Sequence, residues 1–296
     1  MTDECEKGAQ GRLVQSDYYV GVLFVVAAAI TYSTAGLFTK GVTAGSWEVI
    51  FWRGLFAAAF TTAWALSKGA LRQNFCGMGY SGLAVGVVGA LGTAAFIPAF
   101  KYTSIANVSL IYAAAPLIAA LLAWLAIGEK ASRRTIAGCA GALLGVAIIV
   151  SGSVGHLSFN SDLLIGDLLA VWMTTAMACI MVIYRKYPDT PVAGPAVLQS
   201  LLLLPFAAVL GSPFQIAESE VWILAAFGLL FAIASVTLAE GAKRVPSGQT
   251  ALLSALETPL APIFAFLLFA EIPGTPTFLG GAVVLLAVLL SIKRNG

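Results

Sequence analysis

The stretch Leu117-Ile-Ala-Ala-Leu-Leu-Ala-Trp-Leu125 decides the fold, because a related stretch, Leu260-Ala-Pro-Ile-Phe-Ala-Phe-Leu-Leu268, follows later in the chain. A proline precedes each copy, Pro116 in the first and Pro259 in the second. Three flanking pairs share one offset of 142 residues: Lys101 and Lys243, Glu129 and Glu271, Gly138 and Gly280. Both copies are strongly apolar, which favours a duplicated membrane unit over a chance match between Ala- and Leu-rich helices.

The composition indicates a membrane protein. Of the 296 residues, 59% are apolar and only 10% are charged, whereas soluble proteins are about a quarter charged. A helix that crosses the hydrocarbon layer takes about 20 residues. Ten apolar runs meet this length, at residues 18–39, 47–67, 80–100, 105–127, 134–152, 163–184, 192–211, 221–240, 248–270 and 276–293. Residues 1–17 form a polar tail that is predicted to be disordered.

The placement of the positive charges predicts the orientation. Thirteen of the 16 Lys and Arg residues fall in segments on one side of the predicted membrane, and only Lys40 and Lys101 fall on the other. Arg53 lies inside a predicted helix. By the positive-inside rule, both termini are expected in the cytoplasm, in a multi-pass protein of the cell inner membrane. A cleaved signal peptide is disfavoured because the first apolar run continues through Phe38.

The two halves, residues 18–152 and 163–294, are predicted to be inverted relative to each other. Each half contains five apolar runs, and because five is odd, the second half begins on the opposite side of the membrane. The expected fold is all-α, with ten transmembrane helices as two inverted five-helix repeats. Such repeats allow two conformations to interchange, which gives alternating access to a site between the halves.

Two segments resemble a known domain. Residues 109–130, Ser-Leu-Ile-Tyr-Ala-Ala-Ala-Pro-Leu-Ile-Ala-Ala-Leu-Leu-Ala-Trp-Leu-Ala-Ile-Gly-Glu-Lys, are similar to the fourth helix of an EamA domain. Residues 254–271, Ser-Ala-Leu-Glu-Thr-Pro-Leu-Ala-Pro-Ile-Phe-Ala-Phe-Leu-Leu-Phe-Ala-Glu, resemble the same helix of a second EamA domain. This is the drug/metabolite transporter (DMT) superfamily, and the resemblance covers the whole chain after the tail.

The resemblance implies a ten-helix carrier that exports amino acids or other metabolites, and its relatives include aromatic amino acid exporters of the YddG type. The sequence departs from the family at Glu257-Thr258-Pro259, where Glu-Pro is usual, and at Ala115, where the acid is absent. Any role of an acid in this motif therefore belongs to the second half alone.

Arg53 and Glu257 are the strongest candidates for substrate binding. A charge at membrane depth is costly unless it faces a cavity or a partner. Arg53 is expected either to attract a substrate carboxylate or to reach the interface with its long side chain. Glu257 either binds an amine or a proton, or is a structural acid satisfied by nearby backbone.

Other polar, aromatic and sulfur-containing side chains are candidates to line the cavity, with ordinary helix packing or lipid contact as the alternative for each. Thr250 and Ser254 share a helical stripe with Glu257, and aromatic residues offer stacking and cation–π contacts to a solute. The remaining candidates are Thr31, Tyr32, Phe38, Thr93, Tyr112, Trp172, Met173 and Met177. Pro98, Pro116 and Pro259 are expected to kink their helices and are candidate hinges.

The sequence disfavours several other classes of protein. It has no phosphate-binding GxxxxGK[ST] motif, and its four cysteines show no metal-type spacing, so neither a cofactor nor a metal is expected. Gly79-Tyr80-Ser81-Gly82 resembles the GxSG of an intramembrane serine protease, but the only histidine, His156, is predicted on the other side of the membrane. A channel remains an alternative, because a ring contributed by several subunits leaves little trace in one sequence.

The predicted function is therefore that of a transporter and not an enzyme. The expected solutes are amino acids, including aromatic ones, and related metabolites; a facilitator or proton-coupled carrier of other small organic solutes, such as drugs or nucleotide-type metabolites, is the alternative. The expected partners are the solute and the lipid bilayer, without nucleic acid. Gly141 and Gly145 form a GxxxG pair, which suits packing within the chain or a weak homodimer, so a monomer or weak homodimer is expected.

Overall fold

The computed structural model describes residues 2–34, 38, 42–102, 108, 111–151, 161–269 and 274–292. Side chains are described from residue 15 onward, apart from a few positions inside helices that include Pro98 and Lys101. Lys40, His156 and Glu271 lie outside the described residues.

Every regular element within these residues is helical. The helices are α1 Thr2–Ser33, α2 Ser46–Ser67, α3 Leu71–Phe75, α4 Gly79–Tyr102, α5 Ala115–Ile127, α6 Arg133–Ser151, α7 Ser161–Lys186, α8 Ala193–Leu210, α9 Glu218–Arg244, α10 Ser247–Ser254, α11 Glu257–Phe269 and α12 Thr275–Ser291. A short 3₁₀ turn at Pro213–Gln215 separates α8 from α9.

Seven segments of the described part are long and apolar enough to cross a membrane. They are Gln15–Ser33, Trp47–Ser67, Gly79–Phe96, Arg133–Ser151, Leu164–Lys186, Ala193–Leu210 and Glu218–Arg244. Ala115–Ile127 and Thr275–Ser291 are shorter apolar helices. Large apolar side chains face outward along the bundle, such as Leu23, Leu144 and Leu290, and a surface of this kind suits lipid.

The first helix departs from the sequence-based expectation. Disorder was expected over residues 1–17, but α1 begins at Thr2 and continues without interruption into the apolar run. Polarity argues against burial of this segment in lipid, but it does not argue against a helix in water. Glu, Lys, Gln, Arg and Ala are good helix formers, so the segment extends the helix that follows it.

Two of the predicted helices are broken, at equivalent places in the two halves. The run predicted over 248–270 consists of α10 and α11 with a turn at Ala255–Leu256. In the first half, a turn at Ala113–Ala114 precedes α5, and these residues lie 142 positions earlier. Pro116 and Pro259 follow the turns within a few residues, in the first turn of α5 and α11, where a proline is tolerated. The predicted kinks near these two prolines are therefore short turns between separate helices.

The helix pairs that pack most extensively keep the same pattern when the two halves are exchanged. This exchange relates α1 to α7, α2 to α8, α4 to α9, and α6 to α12. The contacts of α4 with α7 then correspond to those of α9 with α1, while α2–α8 and α6–α12 correspond to themselves. Likewise, α2 packs on α9 as α8 packs on α4.

Glycine allows a close approach between α6 and α12. A methyl group at Gly145 would lie 2.7 Å from the carbonyl oxygen of Gly280 and 2.7 Å from Cγ2 of Val284. A methyl group at Gly138 would lie 3.1 Å from the carbonyl oxygen of Ala287. Gly138 and Gly280 are 142 residues apart, as are Gly145 and Ala287, so the same contact occurs twice across this helix pair.

Candidate functional site

Arg53 lies in a box of aromatic rings between α2 and α9. The guanidinium carbon is 4.3 Å from the ring centre of Phe231 and 5.5 Å from that of Phe227. Phe38 stacks on the far side of the box, with its ring centre 5.4 Å from that of Phe227. Gly228 lets the two helices meet, since a methyl group there would lie 2.9 Å from the carbonyl oxygen of Arg53.

The Nε atom of Arg53 is buried and has no hydrogen-bond partner among the described residues. Beside it is a cavity of about 10 Å³, lined in part by Thr93, Gln199 and Phe231, which is comparable to the space one water occupies. The Nε2 atom of Gln199 donates to Thr93 Oγ1 at 3.1 Å across this cavity. Arg53 is therefore partly buried, with one donor of its guanidinium uncommitted.

Tyr32 connects the arginine to an acid. Its hydroxyl group lies 3.1 Å from Ser235 Oγ, and its ring meets the ring of Phe231 edge-on at 5.9 Å. Tyr32 is close enough to both Arg53 and Glu257 to interact electrostatically with each. The two candidate charges thus lie near the same phenol.

The helix breaks bring Glu257 to Tyr112. Glu257 is the first residue of α11, directly after the turn in the second half, and Tyr112 directly precedes the turn in the first half. The hydroxyl group of Tyr112 lies close enough to the Glu257 carboxylate to interact with it. The Tyr112 ring packs on buried residues that include Met173 and Ala170. We refer to Tyr32, Arg53, Tyr112 and Glu257 as the Arg53–Glu257 cluster.

Several predicted candidates occupy structural positions beside this cluster. Thr250 is fully buried, and its Oγ1 donates to the carbonyl oxygens of Val245 and Pro246, both at 3.2 Å. Ser254 donates to the Thr250 carbonyl oxygen at 3.0 Å, and Thr31 donates to the Ala27 carbonyl oxygen at 2.7 Å. These hydroxyl groups satisfy backbone carbonyls within their own stretch of chain, so they have less capacity left for a solute.

The remaining candidates divide between the core and the surface. Met173 is buried beneath Tyr112, and Met177 packs against the main core. Trp172 is 52% exposed on an outward stripe with Leu168 and Val171, so the structure does not bring it to the cluster. Its apolar neighbours indicate a lipid-facing side chain. Pro98 lies within α4, and its side chain is outside the described part.

Sequence reasoning missed Phe227, Phe231, Ser235 and Gln199. The first three share one face of α9 at intervals of four residues, a spacing that predicts a single stripe. That stripe was hidden because α9 is apolar on all sides, so its periodicity is weak. Gln199 is a polar residue in a run of leucines, and this contrast could have marked it as a candidate for the cavity.

A second polar network joins three helices and the segment after α5 at one end of the bundle, here named the basic end because Arg185, Lys243 and Arg244 lie there. Arg185 Nε is 2.9 Å from Glu129 Oε2, and Arg185 Nη1 donates to the Lys243 carbonyl oxygen at 3.1 Å. The Ser247 amide donates to Glu129 Oε1 at 3.0 Å. The network therefore joins the segment that follows α5 in the first half to α7, α9 and α10 of the second half.

The chain is similar to a known protein family along nearly its whole length. The EamA-like transporter family model matches the chain twice, over residues 19–151 and 164–293. The chain belongs to the EamA-like transporter family. The chain is thus a multi-pass membrane transporter and not an enzyme, and the family resemblance is confirmed.

Two curated proteins are distant relatives. One is a probable terminal-alkyne amino-acid exporter of Streptantibioticus cattleyicolor, 28% identical over 63% of this chain and 64% of that protein. The other is the uncharacterized transporter YyaM of Bacillus subtilis, 24% identical over 80% of this chain and 81% of that protein. One solved crystal structure is similar to this chain, with a TM-score of 0.80 and 19% sequence identity. The matched region covers 92% of this chain and 96% of that one, and at this identity it shows a shared fold alone.

Proposed function

We propose that this protein exports amino acids by alternating access and binds them at the Arg53–Glu257 cluster. The observation that carries this proposal is the placement of a cation and an acid near the same residue, Tyr32, with all four side chains of the cluster partly buried. In this assignment the substrate carboxylate binds the free donor of Arg53, and the substrate ammonium binds Glu257. The relative named as an amino-acid exporter supports this class of solute.

The chemistry of a zwitterion fits this pair of charges. Moving either charge of an amino acid out of water costs several kcal/mol unless a partner of opposite sign receives it. Arg53 offers a planar donor suited to a carboxylate, and Glu257 offers the acceptor an ammonium needs. Tyr32 and Phe231 supply aromatic surface beside both charges, which favours aromatic solutes, as exporters of the YddG type would carry.

The proposed architecture is ten transmembrane helices as two inverted repeats, residues 18–152 and 163–294. The exchange of helix pairs between halves and the repeated α6–α12 contact support this arrangement. The distribution of basic residues supports an orientation with both termini and the basic end in the cytoplasm of the inner membrane. The Gly141–Gly145 pair packs against α12 of the same chain, which supports a monomer.

Alternating access supplies a role for the other features. The Glu129–Arg185 network ties the halves together at the basic end, so it must separate for the site to open there. The paired turns at Ala113–Ala114 and Ala255–Leu256 are the proposed hinges. They adjoin Tyr112 and Glu257, so bending there would change the cluster directly. The α6–α12 pair would serve as an outer brace.

Counterflow in proteoliposomes tests this proposal. Vesicles loaded with one amino acid should accumulate a labelled amino acid in its place, with saturation and without chemical change of the solute. Arg53→Gln and Glu257→Gln should each reduce the rate by about tenfold or more, because each leaves one buried substrate charge without a partner.

Arg72→Gln and Glu218→Gln are matched controls that remove the same charges from exposed positions, and their rates should equal that of the wild type. Wild-type rates in both cluster variants would refute the assignment of the site. A repeat with and without a pH gradient tests whether the carrier is proton-coupled, and a solute panel tests the alternative of other organic substrates.

A further inference from the structure

A second cavity of the described part lies at the basic end and away from the Arg53–Glu257 cluster. It has a volume of about 490 Å³. One wall comes from the first half, from the end of α5 through the start of α6, and the other from α10 and the end of α12. Gly248 and Ala120 meet there, since a methyl group at Gly248 would lie 3.0 Å from the Ala120 Cβ atom.

The lining of this cavity is positively charged. Lys130, Arg133 and Arg134 all line it, all are exposed, and none forms an ion pair within the described residues. The one acid in the lining, Glu129, is already bound to Arg185 and to the Ser247 amide. Three basic side chains therefore face the cavity without a counter-charge of their own.

The fold itself does not require these basic residues. At the positions 142 residues later, Lys130, Arg133 and Arg134 correspond to Ile272, Thr275 and Pro276. The positive-inside rule accounts for basic residues in a cytoplasmic connection, but it does not account for a cavity that collects three of them. Charge and cavity together point to an anionic ligand.

The surroundings of the cavity identify the class of ligand. Three large apolar side chains on the two helices beside it are about half exposed: Leu121 at 53%, Trp124 at 53% and Ile136 at 51%. Leu121 follows Ala120 of the cavity lining directly, and Ile136 follows Thr135 of the lining. A ligand in this cavity thus has an apolar surface next to its anionic site, as an acyl chain requires.

We infer that this cavity binds the headgroup of an anionic phospholipid. The phosphate lies between Lys130, Arg133 and Arg134, and the acyl chains follow the exposed apolar residues of α5 and α6. Basic pockets between membrane helices suit such headgroups. Because the walls come from both halves and include Glu129, the bound lipid would favour the arrangement in which the basic end is closed.

Lipid binding to the purified full-length protein tests this inference without any transport measurement. The protein in neutral detergent is titrated with phosphatidylglycerol, with phosphatidylcholine of the same acyl chains, and with soluble glycerol phosphate. Bound lipid is counted by native mass spectrometry, and the thermal unfolding midpoint is followed in parallel. Phosphatidylglycerol should bind and raise the midpoint, whereas the other two should do neither.

Two variants and a control locate the site. Arg133→Gln with Arg134→Gln should weaken phosphatidylglycerol binding by about thirty-fold, at the energy expected for two surface cations. Lys68→Gln with Arg72→Gln removes two exposed cations elsewhere and should leave binding unchanged. Ala131→Trp, which places a large ring in the cavity and keeps every charge, should also weaken binding.

Three outcomes would overturn the inference. Equal loss of binding in the Lys68/Arg72 control would indicate general surface charge. Undiminished binding in Ala131→Trp would place the lipid outside the cavity. Stabilisation by glycerol phosphate equal to that by phosphatidylglycerol would assign the cavity to a soluble anion. A failed amino-acid counterflow assay would not change the interpretation of any of these lipid-binding results.

Discussion

The carboxylate of Glu129 holds two groups of the second half at once, the guanidinium of Arg185 at 2.9 Å and the backbone amide of Ser247 at 3.0 Å. These side chains are only partly accessible, with 21% of Glu129 and 30% of Arg185 exposed. The pair therefore lies between a surface ion pair, which contributes little, and a buried one, whose loss is costly.

The Glu129–Arg185 pair is expected to contribute a measurable coupling energy. In a double-mutant cycle of Glu129→Gln, Arg185→Gln and both together, thermal unfolding in detergent should give a coupling of about 0.5–1 kcal/mol. The charge-reversed double variant, Glu129→Arg with Arg185→Glu, should recover part of it. A coupling indistinguishable from zero would mean that the pair does not hold the basic end closed.

Substitution of Gly145 should destabilise the protein by overpacking. In Gly145→Ala, the added methyl group meets the Gly280 carbonyl oxygen and Val284. The oxygen belongs to the backbone and the Val284 side chain is fully buried, so neither can move away easily. The expected cost is about 1–3 kcal/mol, seen as a lower unfolding midpoint. Gly54→Ala is the matched control, because Gly54 also lies inside a helix and its nearest neighbour would be the Ser200 carbonyl oxygen at 3.6 Å, an ordinary contact. Equal midpoints for the two variants would contradict this account.

Pro259 is expected to matter for turnover because of the helix break before it. Pro259→Ala restores a backbone donor and favours a continuous helix through Ala255–Leu256. We expect counterflow to slow several-fold while the amount of folded protein is kept. Pro205 also lies inside a helix, α8, but without a break, so Pro205→Ala should keep the wild-type rate. A normal rate in Pro259→Ala would remove the turn from the mechanism.

The two aromatic positions Trp172 and Phe231 should differ in their effect on transport. Phe231→Leu removes the ring 4.3 Å from the Arg53 guanidinium, and a cation–π contact of this kind corresponds to about a two- to thirty-fold change in rate. Trp172→Leu alters an exposed surface position and should leave counterflow unchanged. The opposite ranking of the two variants would place the solute on the Trp172 face of α7.

The repeat, the helix positions and the two breaks were accessible from sequence because each leaves a local signal. The apolar runs located the helices, and Pro116 and Pro259 marked the turns that place Tyr112 and Glu257 together. Arg53 and Glu257 stood out because charges are rare at membrane depth.

The partners of these residues could not be predicted in the same way. Phe227 and Phe231 contact the Arg53 guanidinium with their rings. They lie on a helix that is apolar on all sides, so no alternation of polar and apolar residues marks the face they share. Trp172 shows the converse case, because an aromatic residue packed on the core and one facing lipid have the same local sequence pattern. Only the packing of α7 against α4 decides between them.

The amide of Ser247 has a consequence for how the protein is made. α10 begins after Pro246, which has no side-chain acceptor for the first amides of the helix, and Glu129 supplies that acceptor from 118 residues earlier. The ribosome therefore adds Glu129 to the chain long before the helix that Glu129 caps exists. The second half alone lacks the acceptor of the Ser247 amide, so this hydrogen bond forms only when both halves have been inserted and have met.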